Sequence, residues 1–232
     1  MSGYPYSPSQ LGVRPSRALS NQLLIGAFTW MFAGVLLSAG IAWVVSLNER
    51  LVFQIAGLAL PLIFGQLILV FAIQALLPRI SATTALLLFF VYAATIGLTA
   101  GVLLYVYTGE SVATAFVSAS AIFGGAAVYG YTTKRSLVGL GPTLFMGMIG
   151  LLVASIVNLF LGSSPLGWII SVVGVVIFTV FTAYDIQRIS HGDYAAALGS
   201  TEKASVVAAL HLYVDFVALF FYLLRILGST RD

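Results

Sequence analysis

Cysteine is absent from the 232 residues, which excludes disulfides, thiolate metal sites and a thiol nucleophile. Charge is nearly as scarce, since Asp, Glu, Lys and Arg together make up 7% of the chain, whereas soluble domains carry about a quarter. So few charges cannot cover a globular surface in water, and the solvent for most side chains must be lipid. A basic cluster is missing too. The ten Lys and Arg residues are scattered between or beside apolar runs, so the net charge of +3 marks topology and headgroup anchoring and excludes nucleic acid as a partner. No cleavable signal is expected, because residues 1–20 are polar and the first apolar run is longer than the roughly 7 to 15 residues of a signal core.

What the chain has in abundance is apolar sequence, 60% of all residues, divided by short polar breaks into seven runs. These are about Gln22 to Leu47, Leu51 to Leu77, Ala82 to Tyr107, Val112 to Tyr131, Leu137 to Leu161, Leu166 to Ile189 and Ala204 to Leu227. Each is long enough to cross about 30 Å of hydrocarbon as a helix. The fold class is therefore all-α, a polytopic membrane protein with seven transmembrane helices. A flexible tail is expected over residues 1–20, the helical domain over 21–228 and a short C-terminal tail over 229–232. Pro61 predicts a kink in the second run. Ser120 with Gly124, and Gly147 with Gly150, place small residues where helices can approach.

Basic residues set the orientation. With the N-terminus inside, Arg14, Arg17, Arg79, Lys134, Arg135, Arg188 and Lys203 are cytosolic, against Arg50, Arg225 and Arg231 outside. An excess on the first side favours a cytosolic N-terminus. Every loop is short, so any chemistry occurs in or near the bilayer.

Two aspartates stand inside this apolar sequence, Asp185 in the sixth run and Asp215 in the seventh. An ionisable group in hydrocarbon is expensive and by default functional. Ser171, Gly174, Phe178, Thr182 and Asp185 fall on one helical face, and Ala204, Ala208, His211, Asp215 and Tyr222 on another. Two such helices joined by a short loop should be antiparallel neighbours. Asp185 lies about one turn from the end of its run and Asp215 eleven residues into the next, roughly 16 Å deep. Contact then requires the sixth helix to continue past Ile189 or the seventh to begin late. If the acids meet, they share a proton and titrate as a unit. Arg79, at the inner end of the second run, cannot be neutralised and would seek a carboxylate, so the proton count on the pair decides whether it is held. His211, one turn from Asp215, could relay protons. The plainer reading is that protonated acids serve as interhelical hydrogen-bond glue and that Arg79 snorkels to headgroups.

An intramembrane aspartyl protease would also present Tyr-Asp on one helix and Asp on the next. Its second motif needs glycines before the aspartate, where Leu212, Tyr213 and Val214 stand, so the chain is not expected to be an enzyme. A retinal protein is excluded by the lack of a lysine within the seventh run for a Schiff base.

Thr182-Ala183-Tyr184-Asp185-Ile186-Gln187, Leu212-Tyr213-Val214-Asp215-Phe216, Leu224-Arg225-Ile226-Leu227-Gly228 and Tyr129-Gly130-Tyr131-Thr132-Thr133-Lys134-Arg135 together resemble the Bax inhibitor family, over residues 20 to 228, with the last of these segments similar to bacterial members. The resemblance implies six helices around a central seventh and a pH-sensitive calcium leak. By match, Asp185 and Asp215 are the proton sensor and weak, transient Ca²⁺ ligands, and Arg79 is the latch. Thr182 and Gln66 would line the path, with Gln66 standing where some members carry a glutamate. No cofactor is implied beyond the permeating Ca²⁺. The implied partners are the bilayer, protons, calcium ions and other membrane proteins, in a bacterial inner membrane. A non-transporting regulator of a protease or stress pathway is the competing function.

Overall fold

The computed structural model describes residues 16–231. Arg14 and most of the expected N-terminal tail lie outside the described residues, as does Asp232. The described chain is all-helical apart from one isolated bridge between Tyr107 and Thr230.

The helices are α1 (Arg17–Ser46), α2 (Glu49–Gly57), α3 (Ala59–Leu76), α4 (Ala82–Val106), α5 (Gly109–Thr132), α6 (Gly141–Leu161), α7 (Ser164–Ser190), α8 (Asp193–Leu198) and α9 (Thr201–Leu227). Seven of them are long and apolar enough to span a membrane. Local chemistry sets their ends. Ser16 accepts the Leu19 N–H just ahead of α1, which begins at Arg17. Asn48 caps α2 by accepting from Leu51, and Ser81 caps α4 by accepting from Thr84.

Three expectations about where helices begin and end are corrected. The second run is a break, not a kink: α2 stops at Gly57 and α3 starts at Ala59. Pro61 then occupies the first turn of α3, where its missing N–H costs nothing. The loop after α7 contains the short helix α8, flanked by Gly192 and Gly199 at φ of 73° and 64°, values open to glycine that stop the helices on either side. Finally, α9 begins at Thr201 and so takes in Lys203. The last helix therefore does hold a lysine, contrary to the expectation that excluded a Schiff base, and its ammonium donates to the Leu77 carbonyl at 3.2 Å.

The chain divides into two compact units. One gathers α5, α6, α7 and the second half of α9. Here the Gly130 Cα is pressed on the Ala183 backbone, Gly141 on the Tyr184 ring and Gly174 on the Tyr222 ring. Phe216 of α9 meets Phe116 and Phe123 of α5 edge-on at 5.5 and 5.7 Å. The other unit gathers α1 to α4, α8 and the first half of α9. In it Ala93, Gly97 and Gly101 form a small-residue stripe on α4. Gly97 meets the Ser38 carbonyl and Ile41, and Gly101 meets Val45, an approach of backbones that only small residues permit. The expected close contacts at Ser120 and Gly124 are not made: Ser120 is exposed, and a Cβ on Gly124 or Gly150 would meet open space, while Gly147 meets the end of Ile177.

The last helix is the most enclosed, with 61% of its apolar window buried against 11% to 39% for the other six spans. Outward-facing residues are large and apolar, Phe160 at 78% and Ile68 at 69% exposure among them, as lipid contact requires.

Candidate functional site

Asp185, Asp215 and Thr182 come together in one unit. Both carboxyls are 3% exposed and Thr182 is fully buried. Thr182 and Asp185 are three residues apart on α7, so they share the face that α9 covers. All five residues of the predicted α7 stripe are buried. On α9, Ala204, Ala208 and Asp215 are buried, and His211 and Tyr222 half-buried.

The Thr182 hydroxyl donates to the Phe178 carbonyl at 2.8 Å and is hydrogen-bonded to the Asp215 carboxyl. A hydroxyl carries one proton and two acceptor sites. While that proton is on the Phe178 carbonyl, the Asp215 bond is satisfied by a protonated carboxyl donating to Thr182. With an ionised Asp215, Thr182 must turn its proton toward the carboxylate. Asp215 Oδ2 has no hydrogen-bond partner, and the Asp185 and Asp215 carboxyls are near enough to act on each other's charge. Thr182 and the two carboxyls thereby form one buried polar cluster between α7 and α9.

The depth difficulty is resolved differently from either expected route. Neither does α7 run on, ending at Ser190, nor does α9 begin late. Instead the register is set along the helices, with Thr182 opposite Asp215 and Gly174 opposite Tyr222. Two pairs separated by eight and seven residues describe antiparallel neighbours in step, whatever their distance from the connecting loop.

The turn carrying Asp185 is held by residues that sequence reasoning did not single out for a role. The buried Gln187 accepts the Leu137 N–H at 2.7 Å and donates to the Arg135 carbonyl at 2.9 Å. Arg188 lies 5.4 Å from the centre of the Tyr184 ring and 3.6 Å from Asp193. A glutamine inside an apolar run was the only available signal.

The remaining predicted residues belong to the other unit. Gln66 donates to the Thr95 carbonyl and the Thr99 hydroxyl, both at 2.8 Å, joining α3 to α4. His211 Nδ1 is 3.1 Å from the Tyr194 hydroxyl. Arg79 is exposed in the turn after α3, its N–H donating to the Leu76 carbonyl. Among the described residues no group of three His, Cys, Asp or Glu could hold a metal ion. Any Ca²⁺ at Asp185 and Asp215 would therefore complete its six to eight oxygens with hydroxyls, carbonyls and water.

The family model described as "Inhibitor of apoptosis-promoting Bax1" matches residues 20–232. The chain belongs to the Bax inhibitor family. Its relatives include the Escherichia coli strain K12 "Inner membrane protein YbhL", 38% identical over the whole of both chains. A Deinococcus radiodurans protein is 42% identical over 88% of this chain and 89% of its own, and a Borreliella burgdorferi protein 41% over 92% and 94%. This Bax inhibitor family chain is thus a polytopic membrane protein with two buried aspartates, one on α7 and one on α9, near enough to act on each other's charge.

Proposed function

We propose that the protein is a pH-sensitive cation leak, with Ca²⁺ as the permeating ion, gated by Asp185 and Asp215. The observation that carries this reading is the pair itself: two carboxyls each 3% exposed, on neighbouring helices, with one oxygen of Asp215 unpartnered. Packing alone does not call for two acids in such a place, since replacing a buried polar pair by apolar residues is often neutral or stabilising. An acid pair whose shared proton sets its charge can instead switch the space between α7 and α9 from one that repels cations to one that attracts them. Thr182, as the hydroxyl that must turn when Asp215 ionises, reports that charge to α7. Arg79 is assigned the latch by resemblance to the family, and Gln66 and His211 a place on the polar path. The carboxylate count suits a weak site, which suits a leak. The name of the E. coli relative and the distribution of basic residues support an inner-membrane location with a cytosolic N-terminus.

The test is Ca²⁺ entry into dye-loaded proteoliposomes across about pH 5 to 8, comparing wild type with Asp185→Asn, Asp215→Asn and Arg79→Ala. Flux that varies with pH in wild type and flattens in the aspartate variants is expected. Folded wild-type protein that passes no Ca²⁺ at any pH would overturn the leak, and would turn attention to a regulator of other membrane proteins.

A further inference from the structure

Asp193 is a third buried acid, and gating by Asp185 and Asp215 leaves it unused. It opens α8 and is 2% exposed, as enclosed as the other two. All three belong to the same compact unit. The cations of that unit divide unequally around them. Among its described residues Arg17, Lys134, Arg135 and Arg225 are exposed, and Arg188 alone is half-buried. Three enclosed carboxyls therefore have one half-buried guanidinium among them, and a buried charge without a partner is costly.

Arg188 stands where two of the acids can use it. Its Nε is 3.6 Å from Asp193 Oδ2. Asp185 is three residues back along α7, a spacing that puts Cβ atoms about 5 to 6 Å apart on one helix face. Tyr184 joins the arrangement. It is hydrogen-bonded to Arg188, whose guanidinium lies 5.4 Å from the ring centre, and it is within range of the charges of both Asp185 and Asp193. Neighbouring groups do not take the same role. His191 Nδ1, in the intervening turn, is buried without a partner, so that nitrogen does not serve Asp193. From the segment joining α5 to α6, Gln187 engages the Arg135 carbonyl, while the Arg135 side chain belongs to an exposed residue. From α9 the group near Asp185 is Asp215, another acid. A cation that only closed the end of α7 would need no buried carboxyl, since the last carbonyls of a helix already favour it.

We infer that Arg188 is a counter-charge shared between Asp193 and Asp185, and that the share Asp193 takes sets how strongly the aspartate pair attracts a cation. This consequence rests on the proposed leak, whereas the sharing rests on the charge arrangement alone. Held to Asp193, Arg188 leaves Asp185 its negative charge for a passing ion. Turned to Asp185, it cancels that charge. At roughly 6 Å, and even at the dielectric constant of water, one unit charge is worth a factor of about ten in the affinity for a divalent ion.

The experiment uses the full chain at one fixed pH and has two readouts. The first is the half-saturating Ca²⁺ concentration for entry into dye-loaded proteoliposomes. The second is hydrogen exchange across residues 190–193 without Ca²⁺. Wild type is compared with Arg188→Gln, Arg188→Lys, Asp193→Asn, Asp185→Asn and, as an exposed cation elsewhere in the unit, Lys134→Gln. The half-saturating concentration is expected to fall about tenfold in Arg188→Gln and to rise in Asp193→Asn, with Arg188→Lys and Lys134→Gln as in wild type. Exchange is expected to slow in Asp185→Asn, because Arg188 then belongs to Asp193 alone. A shift of the half-saturating concentration in the same direction in Arg188→Gln and Asp193→Asn, or no shift in protein that conducts, overturns the inference. Unchanged exchange in Asp185→Asn overturns the sharing in every case. If folded wild type passes no Ca²⁺, the leak fails by itself, and slowed exchange in Asp185→Asn still upholds the shared counter-charge. Because Asp193→Asn and Asp185→Asn both keep Arg188, a folding failure of Arg188→Gln leaves the question decidable.

Discussion

Changing Gly130 to alanine is the sharpest perturbation available to the aspartate-bearing unit. A Cβ at Gly130 would stand 2.9 Å from both the Cα and the carbonyl carbon of Ala183 and would overlap its oxygen. The obstacle is backbone, so no rotamer change relieves it. Helices α5 and α7 must separate, opening the small cluster of Ala126, Leu137, Ala183 and Tyr184. Overpacking of this kind costs roughly 1 to 3 kcal/mol, and a backbone obstacle belongs at the upper end, about 3 kcal/mol. Alanine returns up to about 1 kcal/mol in helix propensity. The net loss of about 2 kcal/mol corresponds to a melting temperature lower by about 4 to 8 °C for a chain of this size. Thermal unfolding in detergent of Gly130→Ala and Gly124→Ala measures it, because Gly124 faces open space and should lose nothing. Ala183 is two residues before Asp185, so the same variant should also move the pH dependence of Ca²⁺ flux. Equal melting of the two variants would refute the packing argument.

Tyr213→Phe removes the 2.5 Å bond to Ser38 but leaves Ser38 bonded to the Gly34 and Ala93 carbonyls. A loss of about 1 kcal/mol is expected in thermal unfolding. Gln187→Leu strands the Leu137 N–H and the Arg135 carbonyl. At about 1 to 3 kcal/mol for each unsatisfied group, hydrogen exchange should rise across residues 133–140, and protection equal to wild type would contradict the clamp.

Much of this architecture is legible in the sequence because lipid imposes a simple rule. Apolar runs of spanning length must be helices, and acids inside them need a purpose. Asp185, Asp215 and the stripe from Ser171 to Asp185 follow from that rule and from helical periodicity. What periodicity cannot tell is which small residues meet a helix and which meet lipid, since both environments are apolar. Ser120 and Gly124 look outward while Gly97, Gly101 and Gly130 make the close contacts. Nor does spacing from a loop give register. The pairing of Thr182 with Asp215 depends on how α7 and α9 pack along their lengths, and α8, six residues between two glycines, reads as loop.

The claim at the centre of the account is that Asp185 and Asp215 act as one proton-linked unit. A double-variant cycle tests it most directly: Ca²⁺ flux against pH for wild type, Asp185→Asn, Asp215→Asn and the double variant, in proteoliposomes with matched protein content. If the pair is a unit, the double variant responds to pH as either single variant does, because the first substitution already ends the sharing. If each substitution removes a separate part of the pH response and the two parts add, the aspartates titrate independently and the paired gate is contradicted.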